Sequence, residues 1–538
     1  MSALTVTGRE VAAPPLRAVR PWTIAVAFGL VATVICAAGS WIPSLWGDEA
    51  ATLMSARRPV STLIPMLFHV DAVHGLYYLG MHGWIRLAGE SPFALRLPSA
   101  AAIGFAVAAV TLLAGRRGGP RAAIVAGLVA CVLPRLTYAG EEARSFAFTA
   151  AAAAWLTLLL LWLVDGGGRT APASVRRSCW AVYAAGMAFT SYLFLYTVTL
   201  AIAHVAILLV SRASRPTLRA WLLATGCVIV ALAPLGLLAY FERSQIGYLD
   251  TQTLDPSTLL WQPWFGNGWV AIVAWALIVL AVGAWIRDRR ARDSRPGALV
   301  AAAGSGAQPI DATLVGACWL ILPTGALLLG NLVFPLYAGR YSTFAAPAAA
   351  LLIAEGVLVL GRLVSGRLVS GRLGSGRGAI PALAATGAGV LLFIAVSTPA
   401  YLDQRGPYAK NNSDWAEIGS AMASVARPGD AVVFDESTKP SQRPRLAMHT
   451  YPAGFAGLVD PTLRTPYTRN IGWADRVYTV PQAAELGRFD RVTRIWLVED
   501  DVDGDLQSYG LADLQALGFE KTGLSVPTHR SMLIELTR

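Results

Sequence analysis

Lysine is almost missing from this 538-residue chain: only Lys410, Lys439 and Lys521 occur, so arginine carries nearly all of its positive charge. Charge of either sign is scarce, at 14% of residues against roughly a quarter in a soluble globular chain. That deficit excludes an ordinary soluble protein. Cysteine is sparse as well. Cys36, Cys131, Cys179, Cys227 and Cys318 all fall inside apolar runs, and none follows Cys318. Without a CxxC or a paired Cys/His spacing, neither a structural disulfide nor a cysteine-bound metal is expected. The C-terminal part has no GxGxxG and no GxxxxGK[ST], which argues against a nucleotide site there. No basic patch carries interleaved aromatics, so nucleic acid is not an expected partner either.

Apolar sequence is what the chain has in quantity. Hydrophobic residues make up 55% of it and the mean hydropathy is +0.51. A membrane span needs about 20 mostly apolar residues. Eleven runs qualify, at roughly 22–42, 94–115, 121–138, 145–164, 178–191, 194–211, 219–240, 267–286, 312–332, 342–361 and 379–398. The fifth is short and turns tightly into the sixth near Ser191–Leu193. The first is long enough to span, and the chain after it is membrane-embedded, so it reads as a span and not as a cleaved signal peptide.

The arginines test this list. Arg9, Arg17 and Arg20 precede the first span, and Arg116, Arg117 and Arg121 separate the second and third. Arg169, Arg176 and Arg177 follow the fourth, and Arg212, Arg215 and Arg219 the sixth. Arg287, Arg289, Arg290, Arg292 and Arg295 follow the eighth, and Arg362, Arg367, Arg372 and Arg377 the tenth. Every second loop is basic, the positive-inside pattern, which predicts a cytoplasmic N-terminus. An odd number of spans then puts the C-terminus outside. Counting His74–Leu87 as a span would invert every later loop. It is short and broken by His82 and Arg86, and reads instead as an amphipathic helix in the outer interface. The Gly361–Arg377 stretch, with its GRLVS repeat, reads as a basic cytoplasmic linker near anionic headgroups.

The predicted fold class is therefore a polytopic α-helical membrane protein with a small extracytoplasmic α/β domain at its C-terminus. Residues 1–402 form the transmembrane module, with a large first outer loop at 43–93, and residues 403–538 form the outer domain. In the latter, Asn412–Val425 has helical periodicity with Asn412, Ser413 and Asp414 as candidate caps. Ala431–Phe434 and Arg494–Val498 read as buried strands, and Leu511–Leu517 as a helix before a hairpin around Leu524 and Met532–Leu536.

Ionisable side chains are costly near a bilayer, so their clustering on one face is informative. Four outer loops carry them: Asp48 and Glu49 in WGDEA; His69, Asp71 and His74 in HVDAVHGLYY; Glu141, Glu142 and Arg144 in YAGEEARSF; Arg340 and Tyr341 in YAGRYST. Each has a plainer explanation. Asp48 suits the N-cap of a helix starting at Glu49, the histidines suit interfacial packing, and the arginines suit pairing with carboxylates or headgroups.

Together these segments resemble the GT-C glycosyltransferases, in particular the protein O-mannosyltransferase and aminoarabinose-transferase group. WGDEA follows the first span, HVDAVHGLYY lies in the first loop, and FALRLPSAAA opens the next span. EEARSF is similar to the acidic-plus-arginine stretch of the second outer loop, and GRYSTFAAPAAALLIA to an Arg-Tyr segment before a late span. One position departs: the family's His-Pro-Pro is His74-Gly75-Leu76 here. The C-terminal part resembles the outer domains of actinobacterial members.

The resemblance implies a polyprenyl-phosphate sugar as donor and an inverting transfer. It implies Asp48 as the general base that takes a proton from the acceptor hydroxyl. Arg144 and Arg340 would bind the donor phosphate, since planar guanidinium forks hold two oxygens at once. Glu142 and Asp71 would orient the acceptor or a divalent cation, Mg²⁺ or Mn²⁺, which hard oxygen ligands suit. Glu49, His74, Glu141 and Tyr341 complete the substrate-binding set. The sugar expected is mannose and the acceptor a glycan, glycolipid or protein of the cell envelope. Arabinosyl transfer is the nearest alternative. A transporter or lipid flippase would place charges at the midplane of broken helices, and a cell-wall scaffold would not need Asp48.

Overall fold

The computed structural model describes residues 20–165, 168, 170–251, 253–294, 310–370, 379–502, 505–506 and 509–538. Arg9, Arg17, Arg169, Arg295, Arg372 and Arg377 lie outside them, as does the end of the GRLVS repeat. Each of the eleven expected spans falls on a helix. Seven helices among the described residues are long and apolar enough to cross a membrane. In chain order the first elements are α1 (Pro21–Ala37), α2 (Gly47–Arg57), α3 (Val60–Met66), α4 (Gly75–Ala88), α5 (Pro92–Val132), α6 (Pro134–Gly140) and α7 (Phe146–Val164).

Several boundaries differ from expectation for local reasons. The second and third spans are joined in the 41-residue α5, which bends sharply at Gly119. Its φ of +76° belongs to the left-handed region open to glycine, and Pro120 follows. The third span stops at Val132, not 138, because Leu133 is extended ahead of Pro134. The fifth is not short: its helix runs 21 residues, Ala173–Leu193. The break falls instead in the sixth, where Leu195–Thr199 is a 3-10 turn before Leu200–Val210. Many apolar side chains on the outer faces, such as Leu223 and Val230, are exposed in the isolated chain. An apolar face of that kind is what a helix turns to lipid.

The loop between α1 and α5 is folded, not loose. Leu45, Leu53, Leu63, Met66, Tyr77, Tyr78, Met81 and Leu95 form one buried cluster that ties α2, α3 and α4 to the start of α5. With 14 residues, α4 is about 21 Å long, short of the roughly 30 Å hydrocarbon core. His82 meets the carbonyl of Ala56 through Nδ1 at 2.8 Å, which pins α4 to the end of α2.

The C-terminal region is a mixed sheet with helices on both faces. Its strands are β1 (Ala431–Phe434), β2 (Leu463–Thr465), β3 (Arg476–Val477), β4 (Arg494–Val502), β5 (Asp505–Leu506), β6 (Glu520–Pro527) and β7 (Ser531–Thr537). The order is β1-β4-β7-β6, with β1 parallel to β4 and the rest antiparallel. Alternation along β1 and β4 sends Val432, Phe434, Trp496 and Val498 to one face and Ala431, Val433, Ile495 and Leu497 to the other. The first face packs on the Trp415–Val425 helix, and the same cluster takes in Ala50 and Met54 of α2. The C-terminal region thus sits directly on the first loop. Asp414 does not cap its helix by side chain. Its carboxylate accepts instead from Thr528 and from the Arg530 amide.

Candidate active site

The first loop, the segment after α6, the Gly339–Ala345 turn and the C-terminal region meet around a cavity of about 660 Å³. Asp48, Asp71, His74, Arg144, Arg340 and Tyr341 all line it. Asp48 lies in the first turn of α2, whose N-cap position belongs to Trp46, so capping is not its role. Its Oδ2 is 3.0 Å from Arg340 Nη1 and 3.8 Å from Arg144 Nε. Burial opposes ionisation of Asp48, but Arg340 and then Arg144 outweigh it and hold the carboxyl below its usual range.

The two arginines are held differently. Arg144 is locked: it donates to His74 Nε2 at 2.8 Å, to the Tyr78 hydroxyl at 3.3 Å and to the Asp48 carbonyl at 3.4 Å. Tyr78 in turn donates to Asp71 Oδ2 at 2.9 Å. Arg340 is looser, with a hydrogen bond to Tyr248 at 3.3 Å and the faces of Trp46 and Tyr341 beside it. Burial first, then Arg144 and Arg340, push His74 well below its ordinary pKa. A neutral ring is what lets Nε2 accept from Arg144. The ring stacks on Phe194. His69 stays outside the cavity lining, with its ring Nδ1 3.0 Å from the Pro65 carbonyl and its own carbonyl accepting from Gln245 at 3.4 Å.

Asp71 occupies a left-handed turn (φ 59°) that a distant segment secures. Gln245 accepts from the Asp71 amide at 3.2 Å and Glu242 from the Ala72 amide at 3.0 Å. Burial raises both Asp71 and Glu242, the latter to about 7. Tyr341 shares a 3.0 Å hydrogen bond with Tyr248 and packs against Phe194 and Tyr196.

Three residues of the expected set lie outside the cavity lining. Glu49 is fully buried in a two-pronged pair with Arg96, at 2.7 and 2.5 Å, and also accepts from the Ala143 amide at 2.8 Å. Arg96 further donates to the carbonyls of Ser40, Pro43 and Ser44. Glu49 therefore fixes the backbone on both sides of the site, next to Asp48 and next to Arg144, without facing a ligand. Glu141 is buried against Arg405 at 3.2 Å and Lys410 at 3.4 Å, both from the link to the C-terminal region. Glu142 is buried outside the lining, and its carboxyl is raised by burial despite Lys410.

A resident divalent cation does not fit these groups. Among the described residues no three of His, Cys, Asp and Glu converge. Asp48 already faces two guanidinium groups, so a cation added there would meet like charge.

No family model matches the sequence, and no curated protein gives a significant match. Solved structures do. ArnT from Cupriavidus metallidurans in its apo state superposes with a TM-score of 0.52 at 14% identity, over 95% of this chain and 97% of that one. The same protein bound to undecaprenyl phosphate gives 0.54 at 15%, over 96% and 98%. The apo oligosaccharyltransferase from Archaeoglobus fulgidus gives 0.50 at 12%, over 89% of this chain and 69% of that one. This chain has the GT-C membrane fold. Likeness at such identity extends to architecture, and the chemistry has to come from the cavity.

Proposed function

We propose that the chain is an inverting glycosyltransferase that moves a sugar, mannose first among the candidates, from a polyprenyl-phosphate donor to a cell-envelope acceptor on the extracytoplasmic face. The observation that carries this reading is one carboxylate set between two arginines in a cavity with apolar walls: Asp48, with Arg340 at 3.0 Å and Arg144 at 3.8 Å. Asp48 is shared between Arg340 and Arg144, and Asp71 reaches Arg144 only through Tyr78, so the two guanidinium groups can take a further anion. A phosphate is such an anion, and fork-shaped guanidinium groups suit phosphate oxygens. That a GT-C neighbour is known bound to undecaprenyl phosphate supports a lipid phosphate as the ligand class.

The step follows from these positions. The donor phosphate takes up Arg340, the less constrained arginine, and so loosens its hold on Asp48. Asp48 accepts the proton of the acceptor hydroxyl while that oxygen attacks the anomeric carbon from the face opposite the phosphate. The bond from the anomeric carbon to the phosphate oxygen breaks, and the polyprenyl phosphate leaves with the electron pair. Arg340 and Arg144 stabilise the charge on it. No cation is needed in the sequence of events.

The test is a transfer assay of the purified protein in nanodiscs with synthetic polyprenyl-phosphate mannose and polyprenyl-phosphate arabinose, the product read by mass spectrometry. Mannosylated product supports the reading, arabinosylated product changes the sugar and keeps the mechanism, and no product from either overturns the assignment of donor class.

A further inference from the structure

The C-terminal region does more than pack on the bundle: it forms part of the cavity wall. Lys439, Pro440, Ser441 and Trp473 line the cavity together with Asp48 and Arg340. Two braces hold these residues against α2. At its start, a Cβ on Gly47 would lie 2.3 Å from the Ser441 carbonyl oxygen, so only glycine permits the approach. At its end, Arg58 donates to the carbonyls of Asn470 and Gly472, next to Trp473, and Arg57 to that of His449. The helix that carries Asp48 is therefore clamped at both ends by the C-terminal region.

Charge on this wall is uneven. Lys439 is exposed, and among the described residues its ammonium makes no ion pair; of the other cations in the lining, Arg144 and Arg340 are engaged with Asp48, and Arg243 lies over the Tyr240 ring and donates to the Tyr240 carbonyl. Trp473, in the same lining, offers an aromatic face, of the kind on which amphipathic rings stack. A point charge with three rotatable donors and a flat apolar surface in one cavity suit a ring that bears an acidic group.

From this juxtaposition we infer that residues 437–442 and Trp473 form the acceptor subsite, and that the acceptor is an anionic saccharide whose ring lies on Trp473 and whose carboxylate or phosphate meets Lys439. The inference rests on the glycosyl-transfer reading and deepens it. The donor is assigned to the part of the cavity where Arg340 and Arg144 meet Asp48, since its phosphate finds both guanidinium groups there, and its lipid tail belongs with the bundle.

Binding separates the two assignments. The full chain in nanodiscs is titrated with mannotriose, with mannotriose 6-phosphate, and separately with undecaprenyl phosphate. The unsubstituted protein should prefer the phosphorylated trisaccharide by about tenfold, the usual scale of one charge-assisted hydrogen bond. Lys439→Gln should abolish that preference and leave mannotriose and undecaprenyl phosphate unchanged. Being exposed, it is expected to fold. Trp473→Phe keeps an aromatic core and should weaken both trisaccharides less than Trp473→Leu. A Lys439→Gln protein that loses undecaprenyl phosphate affinity would move Lys439 to the donor site. Equal affinity for the two trisaccharides, or none for either, would overturn the anionic-acceptor inference. The donor reading fails separately, through Arg340 and undecaprenyl phosphate, so the two failures cannot be confused.

Discussion

Asp48 and Arg340 meet at 3.0 Å across the cavity, one from the first turn of α2 and the other from the Gly339–Ala345 turn near the end of the helical bundle. Their contact joins the segment proposed to hold the base to the segment proposed to hold the donor phosphate.

Donor binding should depend on both arginines but unequally. Arg340→Gln should weaken undecaprenyl phosphate binding about tenfold or more, since a hydrogen bond to a charged group contributes roughly 1.5–3 kcal/mol. Arg144→Gln should do the same and also lower the melting temperature, because it strands Tyr78 and His74. Titration in nanodiscs checks both, and unchanged affinity in both variants would remove the phosphate role.

The pH profile should move in a definite direction. Arg340 favours the ionised form of Asp48 and holds its pKa down. Without Arg340 that pKa rises, so the acid limb of kcat/KM should shift to higher pH in Arg340→Gln. The catalytic form persists above the limb and is lost as pH falls through it. A limb that stays in place or moves to lower pH would mean that another group controls it.

Glu49→Gln should behave as a stability variant. Removing one partner of a buried ion pair costs about 3–5 kcal/mol, because the remaining charge is stranded. Arg96 would keep its carbonyl partners but lose its counter-charge. Thermal unfolding should show a larger loss for Glu49→Gln, whose pair with Arg96 is fully buried, than for Asp48→Asn, whose pairs open onto the cavity. Similar melting temperatures would show that the Arg96–Glu49 pair is not the brace described above.

Topology is open to reporter fusion. A reporter after Arg538 should be extracytoplasmic, and one within residues 361–377 cytoplasmic. A cytoplasmic Arg538 fusion would place the cavity on the wrong face for a lipid-linked donor presented outside.

The spans, the α/β character of the C-terminal region and the four polar loops were legible because each is a local pattern: an apolar run, an alternation, a charged pentapeptide. What stayed hidden was long-range. Arg96 lies in FALRLPSAAA, and an arginine inside an apolar helix start was the available signal for a buried partner. Nothing in WGDEA distinguishes Glu49, turned inward to Arg96, from Asp48, turned to the cavity. Tyr248, Glu242 and Gln245 come from a segment with no resemblance to follow, and Lys439 and Trp473 from a region read as separate. The β2–β3 pair escaped because two- and three-residue strands carry no periodicity. The clamp on α2 also bears on truncation. Cutting at Thr398 would strip Ala50 and Met54 of their packing and Glu141 of Arg405 and Lys410, so donor binding should suffer along with acceptor use.

Whether Asp48 is the base is decided by single-turnover sugar transfer, compared between the unsubstituted and Asp48→Asn proteins in nanodiscs loaded with the polyprenyl-phosphate sugar. The amide keeps the size of the side chain but cannot take the proton. With Asp48 as the base, the Asp48→Asn rate is lower by roughly 10²–10⁴-fold, with undecaprenyl phosphate binding retained. Transfer by Asp48→Asn at close to the unsubstituted rate would rule Asp48 out as the base and pass the role to Asp71, which also lines the cavity.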